Sequence, residues 1–323
     1  MRTINWGIIG LGNIATKFAQ DLLTVEGAKL YAVASRNQQK ANGFATKFDV
    51  EIAYSDYESL ASDPNIDAVY IATPHALHKA HSLMCLEKKK AVLCEKPFAM
   101  NLSEVDTMIA SAKDNRTLLM EAMWTYFLPH YQFALEQLKK KTFGAITKIE
   151  ADFGFKPDFN LESRVFKKSL GGGSLLDIGI YPIFAALSTL GEPLRVDSKA
   201  TFFDNGVDAS CFIILNYAND VEAHLKSTLT EKTATEAIFY CERGTIKINS
   251  RFHEPSSVTL ISGGEERTCH FECHTHGYDY ETRHFNDLLR TEALESPIMT
   301  FDFSRKLMRT LDLIRHQIGL HYE

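Results

Sequence analysis

Apolar residues recur along this chain in two rhythms, and the change from one to the other falls near residue 122. Before it, uninterrupted apolar runs alternate with stretches of helical spacing. Ile4 to Ile9, Lys29 to Ser35, Ala68 to Thr73, Ala91 to Cys94 and Leu118 to Ala122 read as strands. Ile14 to Leu23, Ala41 to Phe48, His75 to Lys88 and a stretch ending at Ala112 read as helices. Apolar runs joined through helices by short links predict a doubly wound parallel sheet. Asn101-x-x-Glu104 has the form of a capping box, with Asn101 accepting from the first turn and Glu104 reaching back, and it starts the last of these helices.

After Trp124 the period changes. Pro129 to Lys140 is predicted helical. From Ile146 onward apolar and polar residues alternate, in Ile146 to Phe155, Asp197 to Phe203, Ser210 to Tyr217, Glu222 to Leu229, Glu236 to Tyr240, Thr245 to Ile248 and Ser257 to Ile261. Period two predicts half-buried antiparallel strands. One helix, Ile183 to Leu190, interrupts them, and two more are expected near Tyr280 to Arg290 and Ser304 to Gln317. The expected fold class is α/β. A Rossmann-type doubly wound parallel sheet spans residues 1-122, and an α+β domain with an open, mostly antiparallel sheet spans 123-323, its C-terminal helix free to pack back on the first domain. Helices are expected on only one face of the open sheet. The apolar alternation asks for a cover on the other face, so a homodimer joined through it is expected.

Composition narrows the function classes. At 323 residues, 45% hydrophobic and 24% charged, the chain is ordinary for two globular domains. A net charge of -6 leaves no basic footprint for nucleic acid and no polybasic patch for a membrane surface. No apolar run approaches the ~20 residues of a membrane span, and no charged-then-apolar leader opens the sequence. The six cysteines are scattered without a Cys-x-x-Cys, as expected of reduced thiols in a cytoplasmic protein.

The candidate chemistry begins with Gly10-x-Gly12-x-x-Ala15, placed between a strand and a helix. Gly10 permits a tight turn, Gly12 lets backbone approach a pyrophosphate, and Ala15 allows close packing, which is the pattern of a dinucleotide site with phosphate at the helix N-terminus. Asn13 and Ile14 belong to the same turn. The second strand ends Ala34-Ser35-Arg36-Asn37, without the acid that binds a ribose 2′-hydroxyl. Ser35 and Arg36 suit a 2′-phosphate, so NADP(H) is expected ahead of NAD(H). Cys94-Glu95-Lys96-Pro97 closes an apolar strand and points an amine toward the ligand crevice. In Gly171-Gly172-Gly173-Ser174 and the following Leu175 to Pro182, a helix from Ser174 would set Asp177 and Tyr181 on one face. Trp124, Phe153 and Phe155 are candidates for an aromatic substrate wall, with core packing the competing role for one of the phenylalanines. Cys269 to His276 invites a metal reading. On a strand, however, its cysteines and histidines would face opposite ways, so a solvated polar face is expected and no metal site.

Together these motifs resemble the glucose–fructose oxidoreductase, inositol dehydrogenase and rhizopine catabolism superfamily. Within it they resemble the branch of dimeric dihydrodiol dehydrogenase and NADP-linked xylose dehydrogenase. Ile71-Ala72-Thr73-Pro74-His75-x-x-His78, Met120 to Thr125, Tyr181 in place of a common His, and Ile314 to Leu320 carry the resemblance to that branch. Tyr126 departs from it, standing where many relatives carry arginine. The resemblance implies that Tyr181 is the general acid–base, that Lys96 stabilises its phenolate, and that Asp177 orients Lys96 or a substrate hydroxyl. It also implies that Thr73, Pro74, His75, His78, Glu95 and Lys96 border the cofactor. The expected activity is hydride transfer between NADP and a sugar, polyol or vicinal diol. The alternatives are a non-catalytic nucleotide-binding sensor and a reductase of a non-sugar carbonyl.

Overall fold

The computed structural model describes residues 2–322, which form two compact units. The first comprises Met1–Trp124 and Cys273–Arg305. Its sheet contains β1 (Ile4–Ile9), β2 (Ala28–Ala34), β3 (Ile52–Tyr54), β4 (Ala68–Ile71), β5 (Ala91–Glu95) and β6 (Leu119–Ala122), in the order β3-β2-β1-β4-β5-β6. Every pairing is parallel. All residues of β4, β5 and β6 are buried, which explains their unbroken apolar character. The helices between strands are α1 (Asn13–Leu22), α2 (Gln38–Phe48), α3 (Tyr57–Ser62), α4 (His78–Glu87) and α5 (Leu102–Asn115). Sequence periodicity missed β3 and α3 because three and six residues are too short to show a period.

The Asn101 side chain accepts from the Glu104 amide at 2.9 Å, as the capping box predicts, a cap worth about 1 kcal/mol. Glu104 reaches back to the Met100 amide at 3.1 Å, one residue beyond the expected partner. The core of this unit is aromatic: Phe18 stacks on Tyr70 at 3.6 Å, and Trp6 packs against Phe18 and Phe285. The Trp6 indole N–H donates to Asn286 at 3.1 Å. Cys273–Arg305 groups with the first unit rather than with the second domain expected over 123-323, largely through the packing of a helix over Tyr278–Arg290 on α1.

The second unit comprises Thr125–Glu272 and Lys306–Glu323. It contains α6 (Pro129–Lys139), α7 (Ile180–Leu190) and an eight-stranded sheet of β7 (Ile146–Gly154), β8 (Arg195–Phe202), β9 (Asp208–Asn216), β10 (Glu222–Thr228), β11 (Ala237–Cys241), β12 (Gly244–Ile248), β13 (Val258–Ser262) and β14 (Glu265–Cys269). The order is β14-β13-β12-β11-β7-β10-β9-β8, antiparallel throughout except for β7 against β10. The Tyr278–Arg290 helix is α8 in chain order, and α9 (Phe301–Ile318) contributes its residues from Lys306 to this unit.

In β7, Ile149, Ala151 and Phe153 point into the core against α7, and Lys148, Glu150 and Asp152 point away. Helical structure begins earlier than the expected Ile183, with a π-turn over Leu175–Gly179 leading into α7. Contrary to the sequence reading, Lys168–Leu190 is long and apolar enough for a membrane span, but 94% of its apolar window is buried within the fold, as in a core helix. The strand expected across Cys269 to His276 stops at Cys269, so its face alternation does not arise. Among the described residues no group of three or more His, Cys, Asp and Glu is placed to hold a metal ion.

Candidate functional site

In the first unit the expected cofactor residues collect at the C-terminal ends of β1, β2, β4 and β5. β1 lies between β2 and β4, so the order reverses there and the sheet opens a crevice beyond those strand ends. Gly10 adopts φ +89°, and a Cβ on it would lie 2.7 Å from the Ala72 and Thr73 backbone, so only glycine fits this turn. A Cβ on Gly12 would meet nothing within 4 Å. Gly12 is the N-cap of α1 and no side chain caps that end. Asn13 and Ile14 are exposed in the first turn, while Ala15 is fully buried. An uncapped helix N-terminus facing open space fits a pyrophosphate.

Ser35 is buried, and its Oγ accepts from the Asn37 amide at 3.2 Å. Asn37 caps α2 through the Lys40 amide, leaving Arg36 exposed between them. His81, which the sequence reading missed, joins this corner: it shares a 3.0 Å hydrogen bond with the Thr73 hydroxyl. Burial, and secondarily the Arg36 charge, hold its imidazole below the usual histidine range. The donor set suits a phosphate at this edge.

The turns after β4 and β5 are tied together by His78. Its ring nitrogens each lie 2.8 Å from a backbone carbonyl oxygen, those of Thr73 and Pro97. Carbonyls only accept, so keeping both bonds requires a proton on both nitrogens. His78 is fully buried and His75, in the preceding turn, is 5% exposed. Glu95 accepts from the Tyr70 hydroxyl and from the Lys96 amide. The Lys96–Pro97 bond is cis, and Lys96 is half-buried. Below this turn the Phe98 amide donates to Glu121, whose carboxyl burial pushes up to about 7. Trp124 lies flat on Tyr278 at 4.4 Å, a partner 154 residues away that no local pattern points to.

In the second unit Tyr181 is 4% exposed, at the start of α7. Its ring lies 5.8 Å from Phe153 and 4.9 Å from His253, and Phe153 lies 4.2 Å from His253. Phe155 stands one step further out, 6.3 Å from Phe153. Asp177 sits in the π-turn, a distortion common at functional sites. Arg164 donates to it at 2.7 Å, with the two side chains 35% and 10% exposed.

Asp208 caps the Ser174 turn, accepting from the Ser174 hydroxyl at 2.8 Å and the Leu175 amide at 2.7 Å. Burial pushes the Asp208 carboxyl up to about 7 against those bonds. Arg164, Asp208 and His253 therefore complete a constellation of which the motifs had named only Asp177, Tyr181 and Phe153. Tyr126, the departure from the branch pattern, packs edge-on against Phe184 at 5.1 Å.

Two family models match the chain: the GFO/IDH/MocA oxidoreductase family with an NAD-binding Rossmann fold over residues 4–123, and the GFO/IDH/MocA C-terminal domain over residues 131–247. The chain is similar to trans-1,2-dihydrobenzene-1,2-diol dehydrogenase of Xenopus tropicalis, with 35% identity and 98% of each chain covered. Against the Homo sapiens enzyme of that name, identity is 31%, over 99% of this chain and 98% of that one. It is also similar to a solved 3-ketoreductase from Actinomadura kijaniata in complex with NADP and TDP-benzene, with a TM-score of 0.89, 25% identity and 98% of each chain covered.

Proposed function

The chain belongs to the GFO/IDH/MocA oxidoreductase family, and on that premise we propose that it is an NADP-dependent dehydrogenase of a sugar, polyol or vicinal diol. The carrying observation is Tyr181: a buried phenol in the first turn of α7, just after the π-turn, four residues after an ion-paired carboxylate and walled by Phe153 and His253. The dihydrodiol dehydrogenase relatives and the NADP-bound ketoreductase support the substrate class and the cofactor.

Bound NADP supplies the hydride acceptor, or as NADPH the donor. The Gly10–Ile14 turn holds the pyrophosphate on the uncapped end of α1, and Ser35 and Arg36 hold the 2′-phosphate. Thr73, Pro74, His75, His78 and Glu95 shape the crevice beyond β4 and β5. Tyr181 takes the proton from the reacting hydroxyl in oxidation and returns it in reduction. A free phenol has a pKa near ~10, too high for an efficient base at neutrality, and the family resemblance gives the task of favouring its phenolate to the Lys96 ammonium. Asp177, oriented by Arg164, accepts from a neighbouring substrate hydroxyl. Phe153 walls the carbon skeleton.

Initial rates with NADP+ against aldopyranoses, inositols and trans-dihydrodiols test this reading. Turnover of at least one class is expected, and silence across the panel would contradict it.

The outward face of the second sheet is assigned to a second copy of the chain. Cross-strand pairing sets Lys199, Phe212, Lys226 and Asp152 in one row. Phe212 is 48% exposed, beside a concavity of about 850 Å³. Mixed charges around an exposed aromatic suit a self-complementary contact. Sedimentation is expected to give a dimer that Phe212→Asp dissociates, and a monomer at micromolar concentration would contradict it. The six free cysteines accord with a cytoplasmic location.

A further inference from the structure

The segment after α9 reaches the loop that delivers Arg164 to Asp177. Gly319 takes φ +70°, and the Leu320 amide donates to the Arg315 carbonyl at 2.9 Å, the six-to-one bond of a Schellman cap. Leu320 is 2% exposed. These two restraints set where Tyr322 stands. Its ring lies 5.5 Å from the Arg315 guanidinium, and its hydroxyl donates to the Gly172 carbonyl at 3.0 Å.

Gly172 is itself enclosed by backbone. A Cβ on it would lie 2.6 Å from the Val165 carbonyl oxygen, 2.7 Å from that of Arg164 and 2.9 Å from that of Lys167. The Gly172 amide donates to Lys167 at 3.0 Å and the Gly173 amide to Val165 at 2.9 Å. The turn that carries Arg164 is thus pinned to the glycine turn, and the glycine turn is held by Tyr322. No motif connected residue 322 with residue 177, because the link runs through backbone carbonyls.

We propose that Tyr322 is a positioning residue for the reaction: by holding Gly172 it fixes the Arg164 turn and, through it, the Asp177 carboxylate. The inference rests on the role given to Asp177 above. Tyr322→Phe keeps the ring and its contact with Arg315 and removes one hydrogen bond. It is expected to lower kcat/KM by about threefold to tenfold, the range of one such bond. In an Arg164→Met background the same change is expected to have no further effect, since the path to Asp177 is already cut.

A merely structural hydroxyl would lower both backgrounds alike, and that result would overturn the proposal. So would wild-type kcat/KM in the single variant. Amide hydrogen exchange supplies a readout that needs no substrate: the Gly172 and Gly173 amides are expected to exchange several-fold faster in Tyr322→Phe, and unchanged protection would overturn the proposal. Were the wild type inactive on every substrate, the failure would belong to the dehydrogenase reading, and exchange would still decide the buttress.

Discussion

The two units hold their functional groups by different means. In the first, the groups sit on turns at strand ends, and backbone fixes them: Gly10 against Ala72 and Thr73, His78 between two carbonyls, Lys96 on the turn after β5. In the second, side chains from distant segments fix them: Arg164 on Asp177, Asp208 under Ser174, His253 beside Tyr181. A backbone turn tolerates change around it as long as its own short motif survives. A side-chain network fails one member at a time. The first arrangement suits a cofactor of constant shape, and the second suits a substrate pocket that relatives can alter.

The largest expected effect comes from the residue that carries charge to the reaction. Lys96→Met is expected to lower kcat by about 10²- to 10⁴-fold, the range of a disabled acid–base pair, with NADPH affinity changed far less. Equal losses in kcat and in NADPH binding would make Lys96 a cofactor anchor instead. Next, Arg36→Met is expected to weaken NADPH by about 10- to 100-fold, the range of a charge-assisted phosphate contact, and to leave NADH binding unchanged. Parallel weakening of both cofactors would break the assignment of Arg36 to the 2′-phosphate. In the second unit, Arg164→Met is expected to lower kcat/KM about tenfold while NADPH affinity stays constant, as one charged hydrogen bond to Asp177 is lost.

How much of this was legible in the sequence follows the same division. The parallel sheet, the Gly10–Ala15 turn, the Ser35–Arg36 edge and the Glu95–Lys96–Pro97 turn could be read because each is a local pattern with a local cause. The mostly antiparallel second sheet was also legible from its period. The placement of α8 with the first unit was not, since it depends on Trp6 and Phe18 meeting Phe285 and Tyr278 across more than two hundred residues. Asp177 could be named but not its partner, because Arg164 arrives on an irregular loop with no periodic signal. Asp208 falls two residues before the expected strand Ser210 to Tyr217 and belongs to no motif, and only its burial under Ser174 reveals a cap.

A prediction on stability rather than activity concerns that cap. The Asp208 carboxyl titrates near 7 when folded against 3.8 for a free group, so the folded state keeps a proton that the unfolded chain has released between those values. Stability is full below about pH 4 and falls as pH rises toward 7, by at most about 1.4 kcal/mol per pH unit from this group. Asp208→Asn removes the titration, so denaturation midpoints measured from pH 4 to 8 are expected to slope less than in the wild type. An unchanged slope would show that Asp208 is ionised in the folded state throughout.

The central claim is that cofactor binding and proton transfer reside in separately built parts of the chain. Tyr181→Phe tests it most directly, with NADPH affinity measured by fluorescence titration and turnover measured on the same preparation. The account predicts wild-type affinity with turnover reduced by at least about 10²-fold. Wild-type turnover in that variant, or loss of NADPH binding together with turnover, would contradict it.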